Sequence, residues 1–280
     1  MDLRIWEHPI LEFKRDKQVH IYLEDKKIDA YEGETIAAAL YASGIKIYSK
    51  SVKYHRPRGF FCGIGKCSSC LMRVNGIPHV RTCVTLVKDG MRIDYEKGRG
   101  DPPITTEIEV EEEKLDTDLV VVGGGPAGLS AAIAAANLGV DVYLVDENPR
   151  AGGQLIKQTH KFFGSKDNYA GVRGVEIAKI LLRELKKSNV KWVLNASVIG
   201  YYENKRPVLA VVQENRKLIE VTTRNVIVAT GAQENMLPFP NNDLPGVYGA
   251  GGVQTLMNVY GVKPGNDALI VGAGNVGLIV

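Results

Sequence analysis

The alternation of apolar and polar positions divides the 280-residue chain into two regions of different character. From Gln18, the sequence QVHIYLEDKKIDAYEGETIAAALYASG alternates on both sides of a DKK turn and becomes helical near Glu34. Period-two alternation is typical of strands that bury one face. The order strand, turn, strand, helix favours a β-grasp domain, and LMRVNGIPHVRTCVT adds a hairpin that turns at Asn75-Gly76.

The second region consists of continuous apolar runs separated by glycines. From Asp118, DLVVVGGGPAGLSAAIAAANLGVDVYLVDENPRAGGQL predicts a strand, a glycine turn, an Ala-rich helix and a second strand, which is one βαβ unit. A helical pattern near Val172 to Ser188 and several short strand-like runs ending in NVIVATGA follow. The stretch DALIVGAGNVGLIV, starting at Asp267, then repeats DLVVVGGGPAGLSA at an offset of 149 residues.

These patterns predict a chain of mixed α/β and α+β class. We expect a β-grasp domain over residues 1–97, a linker over 98–117, a Rossmann-like domain over 118–265 and the beginning of a second dinucleotide-binding domain over 266–280. The linker is predicted because GRGDPPITTEIEVEEEKLDT combines glycine, a proline pair and an acidic run. Since a dinucleotide-binding motif needs the helix and strand that follow it, we expect the chain to be a fragment or one product of a split gene.

Composition and charge exclude several classes of function. Charged residues make up 24% and hydrophobic residues 45% of the chain, as in ordinary globular proteins. The net charge of +3 arises from 35 basic and 32 acidic residues that are interspersed overall, which argues against nucleic acid or anionic lipid as a partner. The N-terminal sequence MDLRIWEHPILEFKRDK has no long apolar stretch, so we expect a cytoplasmic protein without membrane insertion.

All four cysteines lie within one segment of 22 residues, in the spacing Cys62-x4-Cys67-x2-Cys70-x12-Cys83. Four thiolates are what the two irons of a [2Fe-2S] cluster require, and glycines at positions 63 and 65 suit a loop that wraps closely around the cluster. A structural zinc site, a redox dithiol of Cys67 and Cys70, and inert thiols remain open alternatives.

Two glycine motifs predict nucleotide sites. The first has Gly123, Gly125 and Gly128 between an apolar strand and a helix, where a pyrophosphate can sit at the helix N-terminus. The cofactor-binding residues predicted here are Gly123, Gly125, Pro126, Ala127, Gly128 and, for the ribose at the end of the next strand, Asp146 and Glu147. A glycine turn that serves packing alone is the alternative. The second motif, Gly272, Gly274 and Gly277, would hold NAD(P) only if the missing C-terminal part is supplied.

The cysteine segment resembles known cluster loops. CGIGKCSSCLMRVNGIPHVRTC is similar to the loop of plant-type and succinate-dehydrogenase-type ferredoxin domains, which implies a ferredoxin-like domain over residues 1–97. The preceding SVKYHRPRGFFCG, residues 51–63, resembles a segment in the alpha subunits of heterotetrameric sarcosine oxidases and related dye-linked proline dehydrogenases and opine oxidases. The alternative for His55, Arg56 and Arg58 is a solvated basic surface.

The resemblance extends to the flavin-flanking segments of two-dinucleotide-domain flavoproteins, which AGGQL and NVIVATGAQENMLPFPNNDLPGVYGAGGVQTL are similar to. It implies FAD rather than NAD at the first glycine motif. It also implies that Gly153 and Gln154 approach the flavin and that Thr230 and Gly231 lie against the FAD.

The family implies an electron-transfer subunit, or part of one, of a flavin-dependent amine or imino-acid dehydrogenase. Its partners would be an amine-oxidising flavoprotein of the beta type, in a hetero-oligomer, and possibly a chain that supplies the rest of the NAD(P) domain. No catalytic acid or base is assigned, because the five histidines are scattered along the chain. A self-contained NAD(P)H-dependent flavin reductase and a non-enzymatic cluster carrier or assembly module are the alternatives.

Overall fold

The computed structural model describes residues 2–102 and 109–280. It divides into two compact units, one of Met1–Thr105 with Glu234–Val280 and one of Thr106–Gln233. Residues from Glu234 onward therefore group with the N-terminal unit, whereas the sequence analysis placed them up to 265 with the dinucleotide-binding domain. Part of the predicted linker, residues 103–108, lies outside the described residues.

The N-terminal unit is built on a five-stranded β-grasp sheet. Its order is β2-β1-β7-β5-β6; β1 and β7 run parallel and the other neighbours antiparallel. Two short strands, β3 and β4, form a separate antiparallel ladder. The elements are β1 (Gln18–Leu23), β2 (Lys26–Tyr31), α1 (Ile36–Ala42), β3 (Ser49–Lys50), β4 (Pro57–Arg58), β5 (Leu71–Val74), β6 (Ile77–Arg81) and β7 (Arg92–Asp94).

Alternation along β1 buries Val19, Ile21 and Leu23 on the face that α1 covers, and every residue of α1 is buried. The helix begins where the Thr35 hydroxyl accepts a hydrogen bond from the Ala38 amide at 3.3 Å, an N-cap that satisfies one free helical N–H. As predicted, β5 and β6 form a hairpin around Asn75-Gly76.

The C-terminal part of this unit shares the same core. A short helix, Ala250–Gln254, continues into a π-helical turn, Thr255–Val259, and a last helix spans Asn275–Ile279. Leu256 and Val262 are fully buried in the cluster that contains Ile21, Leu40 and Met72. This shared apolar core explains why residues after 234 belong to the N-terminal unit.

The second unit contains two four-stranded sheets. The first is parallel, in the order β11-β10-β9-β15, and the second has the order β12-β13-β14-β8. The elements are β8 (Glu111–Asp116), β9 (Leu119–Val122), α2 (Pro126–Asn137), β10 (Val142–Val145), α3 (Gly174–Lys187), β11 (Lys191–Val193), β12 (Ala196–Tyr202), β13 (Val208–Gln213), β14 (Lys217–Thr222) and β15 (Asn225–Val228), with 3₁₀ turns at Gly153–Lys157 and Lys166–Asn168.

The parallel sheet is covered on both faces, which is why its strands read as continuous apolar runs. Leu129 of α2 and Leu181 of α3 pack with Leu144 on one face. On the other face, Val120 and Val145 pack with residues of the second sheet such as Val211. The predicted βαβ unit and the helix expected near 172–188 are both present.

One strand lies inside the predicted linker. The acidic segment β8 pairs in parallel with β14 at the edge of the second sheet. Its charges are matched across the ladder, where Lys217 Nζ lies 2.6 Å from Glu113 Oε2 and Lys114 Nζ lies 3.7 Å from Glu220 Oε2. An edge strand tolerates such charges, so its polar composition made this strand look like a linker in the sequence. Within residues 2–102 and 109–280, no helix combines the length and apolar character needed to cross a membrane.

Candidate cofactor sites

The β5–β6 hairpin brings two of the four cysteines together. Cys70 directly precedes β5, Cys83 follows β6, and the register pairs Leu71 with Arg81. Buried Thr82 fixes the open end of the hairpin, because its hydroxyl donates to the Cys70 carbonyl oxygen at 2.7 Å. The 12-residue spacing between these cysteines is thus the length of one hairpin.

The loop before β5 adds the other two sulfurs. The Cys62 thiol makes hydrogen-bonding contact with those of Cys67 and Cys83, and Cys83 also contacts Cys70. Cys62, Cys70 and Cys83 are buried, Cys67 is partly exposed, and none of the four forms a disulfide. The structure therefore gathers all four predicted ligands into one chain of contacting sulfurs.

These contacts change the acidity of the thiols in opposite directions. Hydrogen bonds from the Cys67 and Cys83 thiols, with help from the Ile64 and Lys66 amides, hold the pKa of Cys62 far below its usual range. A hydrogen bond from Cys83 lowers the pKa of Cys70 to about 7 against the effect of burial. Donation to Cys62 raises the pKa of Cys67 and of Cys83. The neighbouring donors thus favour a thiolate at Cys62, the form that binds metal.

The donor groups around the sulfurs fit a [2Fe-2S] cluster. The Ile64 amide lies 3.4 Å from Cys62 Sγ, and Ser69 hydrogen-bonds the Cys67 sulfur. Amide donors of this kind stabilise the charge on cluster thiolates. No three His, Cys, Asp or Glu side chains in the described ranges form a group that could hold a metal ion. A two-iron cluster differs from such a site because each iron takes only two of the four protein thiolates and inorganic sulfide completes its coordination.

Arg56 and Arg58 contact the same carboxylate in their unit. The sequence analysis gave a solvated basic surface as the alternative for these residues. Arg56 Nη2 lies 2.8 Å from Asp243 Oδ1, and Arg58 Nη1 lies 2.6 Å from Asp243 Oδ2. Arg56 also donates to Asn241 Oδ1 at 2.7 Å. The hydrogen bond from Arg56, together with both charges, lowers the pKa of Asp243. This basic segment therefore anchors the loop that precedes Ala250–Gln254.

The first glycine motif is a tight turn between β9 and α2. Gly123 has φ of 110°, and a Cβ there would lie 2.4 Å from the Ala229 carbonyl oxygen. A Cβ at Gly128 would lie 1.8 Å from the Gly123 carbonyl oxygen. Gly125 caps α2 without a side-chain hydrogen bond, and Pro126 occupies the first turn, beside Ala127. The first backbone N–H groups of α2 thus receive no side-chain cap, as an anion site at a helix N-terminus requires.

The carboxylate of Asp146 serves the glycine turn itself. It is buried, its Oδ2 accepts a hydrogen bond from the Gly124 amide, and its Oδ1 accepts bonds from the Asn148 amide at 2.7 Å and side chain at 2.9 Å. The sequence predicted a ribose contact here and missed this supporting role. The neighbouring Glu147 is exposed.

Two further predicted segments meet the same turn. The Gly152 amide donates to the Gly124 carbonyl oxygen at 2.7 Å, and a Cβ at Gly153 would lie 2.7 Å from Gly125 Cα. The Ala229 amide donates to the Val122 carbonyl oxygen at 2.8 Å, which places Thr230 and Gly231 just beyond the turn. Gln154 is exposed at the start of its 3₁₀ turn. The structure thus brings the three segments predicted for FAD together around the glycine turn.

The second glycine motif is only partly formed. Gly272 has φ of 104° and Gly274 caps the helix Asn275–Ile279. The strand predicted immediately before it, over DALIV, is absent from the described structure, and Leu269, Ile270 and Val271 are exposed. Within the described residues no strand pairs with this segment as β10 and β15 pair with β9, so it has no ladder to join.

Comparison with known proteins matches both halves of the chain. Residues 16–98 match the 2Fe-2S iron-sulfur cluster binding domain, and residues 117–280 match the pyridine nucleotide-disulphide oxidoreductase family. The site geometry and these matches define a two-cofactor redox protein. The two predicted cofactors, a [2Fe-2S] cluster and FAD, are confirmed by the family matches. The chain belongs to the pyridine nucleotide-disulphide oxidoreductase family, with an N-terminal 2Fe-2S domain.

Individual relatives confirm the predicted resemblance. The sarcosine oxidase alpha subunit of Corynebacterium sp. (strain P-1) is 28% identical over 279 residues, which cover 94% of this chain and 29% of that protein. An opine oxidase subunit of Agrobacterium tumefaciens (strain Ach5) is 32% identical over 60% of this chain and 34% of its own length. The crystal structure of L-proline dehydrogenase from P. horikoshii superposes with a TM-score of 0.79 at 32% identity, over 95% of this chain and 50% of that chain. The chain thus spans about a third of these curated relatives.

Proposed function

We propose that this chain is the electron-transferring part of a flavin-dependent amine or imino-acid dehydrogenase or oxidase that acts on substrates of the sarcosine, proline, hydroxyproline or opine type. One observation carries the proposal: a loop that gathers four thiols is joined in one chain to a glycine turn with the predicted flavin-flanking segments around it. A four-thiolate site and a dinucleotide-binding turn together suit electron transfer, whereas neither of them suits acid–base chemistry.

In this proposal each site has defined residues. Cys62, Cys67, Cys70 and Cys83 hold the cluster, while the turn from Gly123 to Gly128, with Pro126 and Ala127, receives the FAD pyrophosphate. Asp146 and Glu147 meet the ribose. A bound cluster supplies one-electron steps and a bound flavin supplies two-electron steps. The protein contributes the hydrogen bonds to the sulfurs, the α2 amides that no side chain caps and the packing of Gly153 on Gly125, all of which would fix the cofactors in place.

Oxidation of the amine belongs to a partner in this scheme. The relatives are named as subunits, which agrees with an assembly of several chains. We propose a beta-type flavoprotein that removes the hydride from the substrate, and a further chain segment that completes an NAD(P) site around Gly272, Gly274 and Gly277. A cytoplasmic location suits the four free thiols, because reducing conditions keep them available as ligands.

The deciding experiment measures iron, acid-labile sulfide and FAD per chain after anaerobic purification, with an electron paramagnetic resonance spectrum after dithionite reduction. Two irons, two sulfides and one FAD with a rhombic signal are expected. Cys67→Ser should abolish the cluster and leave the FAD content within about 20%, because the two sites lie in different compact units.

Ser68→Ala, an exposed change in the same loop, is the matched control and should keep both cofactors. Zinc in place of iron, or simultaneous loss of both cofactors in Cys67→Ser, would contradict the proposal. NADH-driven dye reduction by the chain without a partner would favour the self-contained flavin reductase instead.

A further inference from the structure

The near-neutral balance of the whole chain conceals one strongly basic stretch. Residues 35–88, which carry the cluster loop, contain no aspartate or glutamate. The same stretch has nine basic residues: Lys46, Lys50, Lys53, Arg56, Arg58, Lys66, Arg73, Arg81 and Lys88. In the sequence, the stretch that carries the cluster loop is therefore basic, although the charges of the whole chain are interspersed.

Part of this charge is neutralised within the unit. Asp243 pairs with Arg56 and Arg58, as described above. Lys50, Lys53 and Arg81 remain exposed. Lys53 lies over the ring of Tyr54 at 5.1 Å, which holds the charge at the surface without cancelling it.

These exposed charges flank the cluster loop from two sides. The β3–β4 hairpin carries Lys50 and Lys53, and its Ser49 hydroxyl donates to the Ser69 carbonyl oxygen of the loop at 3.3 Å. On the other side, Arg81 Cδ would lie 3.4 Å from a Cβ on Gly65 of the loop. Cys67, the least buried of the four cysteines, belongs to the same loop.

Exposed apolar side chains lie among the charges. Val52 is 53% exposed and Tyr54 67% exposed at the hairpin tip, and Val84, which also borders Gly65, is 42% exposed. A protein interface combines an apolar core with a polar rim, whereas a nucleic-acid surface is mainly cationic. We define the cluster-loop surface as Lys50, Val52, Lys53, Tyr54, Arg81 and Val84.

We propose that the cluster-loop surface docks an acidic one-electron carrier protein, which exchanges single electrons with the cluster. This inference rests on the proposed electron-transfer function and adds the place and charge of the partner. One electron passes from the reduced cluster to the oxidised redox centre of the carrier, so the cluster is oxidised, the carrier is reduced by one electron, and no bond forms or breaks. The complementary charges orient the encounter, and the apolar side chains supply the area that excludes water.

The test uses oxidised flavodoxin, an acidic carrier, as the probe and calorimetric titration of the purified protein as the readout. The variant is Lys50→Glu with Lys53→Glu. The matched control is Lys26→Glu with Lys27→Glu, which changes the net charge equally on exposed positions of β2, at the sheet edge opposite the cluster strands. The hairpin variant should weaken flavodoxin binding by about tenfold or more at low salt, and the control by less than about threefold.

Cytochrome c, a basic carrier, provides a probe of opposite charge and should bind the hairpin variant more tightly than the unmodified protein. Equal loss of flavodoxin affinity in both double variants would overturn the proposal, as would duplex DNA that binds this surface more tightly than flavodoxin does. Iron and sulfide are measured on the same samples. If the purified protein contains no cluster and still binds flavodoxin through these charges, the electron-transfer function is overturned. If the cluster is complete but flavodoxin binding does not depend on these charges, only the docking surface is overturned.

Discussion

The two glycine motifs form the same turn, but only one is built into a sheet. Gly123 and Gly272 have φ of 110° and 104°, and each motif has a glycine as the N-cap of its helix. In each, the third glycine makes a close approach to the first: a Cβ at Gly128 would lie 1.8 Å from the Gly123 carbonyl oxygen, and one at Gly277 2.5 Å from that of Gly272. The strand before the turn is paired on both sides in the first motif and is absent from the second, among the residues that the structure describes.

Equivalent positions of the two glycine motifs differ in how far they are buried. Val121 and Leu129 are fully buried, whereas their counterparts 149 residues later, Ile270 and Leu278, are 57% and 78% exposed. The glycine turn and the first helical residues thus follow from local sequence, because they depend on φ and on short backbone contacts. The strand depends on neighbouring strands that accept its hydrogen bonds and cover its side chains.

The largest expected effect is a core truncation at matched positions. Leu129→Ala should cost about 2–5 kcal/mol, since it leaves a cavity between α2 and the parallel sheet. Leu278→Ala should change stability by less than about 0.5 kcal/mol, because the side chain is already in water. Chemical denaturation of both variants measures the difference. An equal loss in the two would show that Leu278 is covered in solution and that the second motif is as complete as the first.

The third glycine of each motif gives a smaller contrast. Gly128→Ala forces the new methyl group against the Gly123 carbonyl oxygen and, at 3.3 Å, the Ala229 side chain, so we expect a loss of about 1–3 kcal/mol and a reduced FAD content. Gly277→Ala meets a backbone oxygen in an exposed segment that can shift, so its cost should be below about 1 kcal/mol with FAD unchanged. Thermal unfolding with bound FAD measured by absorbance tests both variants. Retention of FAD and stability by Gly128→Ala would show that the close approach is not required.

The same distinction explains how much of the fold the sequence predicts. The Asn75-Gly76 hairpin, the βαβ unit and the helix at Gly174–Lys187 are encoded by local turn residues and periodicity, and all three were predicted. The strand Glu111–Asp116 was missed because its acidic composition suits an edge that β14 alone supports. The repeat of DLVVVGGGPAGLSA implies a strand over DALIV, yet no partner strand pairs with it in the described chain.

The candidate sites show a similar limit. The four cysteines were predicted as one site from their spacing, and the hairpin length sets which of them meet. The role of Asp146 in holding Gly124 and the convergence of Arg56 and Arg58 on Asp243 were not predicted. Both depend on side-chain contacts between residues far apart in the sequence, which no short motif specifies.

The smallest expected effect concerns two ion pairs, one in the compact unit that contains each glycine motif. Asp243 accepts from Arg56 and Arg58 in the unit with the second motif, and Asp116 accepts from Arg206 at 2.7 and 2.8 Å in the unit with the first. Hydrogen bonds from Arg56 and from Arg206 lower the pKa of Asp243 and of Asp116, respectively. Each carboxylate therefore stabilises its unit above its unfolded-state pKa of about 3.9, and this contribution is lost as pH falls through the lower folded pKa.

Asp243→Asn should destabilise residues 234–264 more than Asp116→Asn destabilises β8, because Asp243 is the less exposed carboxylate and binds two arginines. Both effects should be smaller than those of Leu129→Ala and Gly128→Ala, since water screens partly exposed ion pairs. Peptide-resolved hydrogen exchange at about pH 7 measures each segment, and unfolding midpoints at about pH 7 and about pH 3 test the titration. The difference between each variant and the unmodified protein should shrink at the lower pH, where the carboxylates begin to be protonated. A pH-independent effect of Asp243→Asn would show that the amide fails to fit the two arginines for reasons of shape, and that charge does not hold the second motif's unit together.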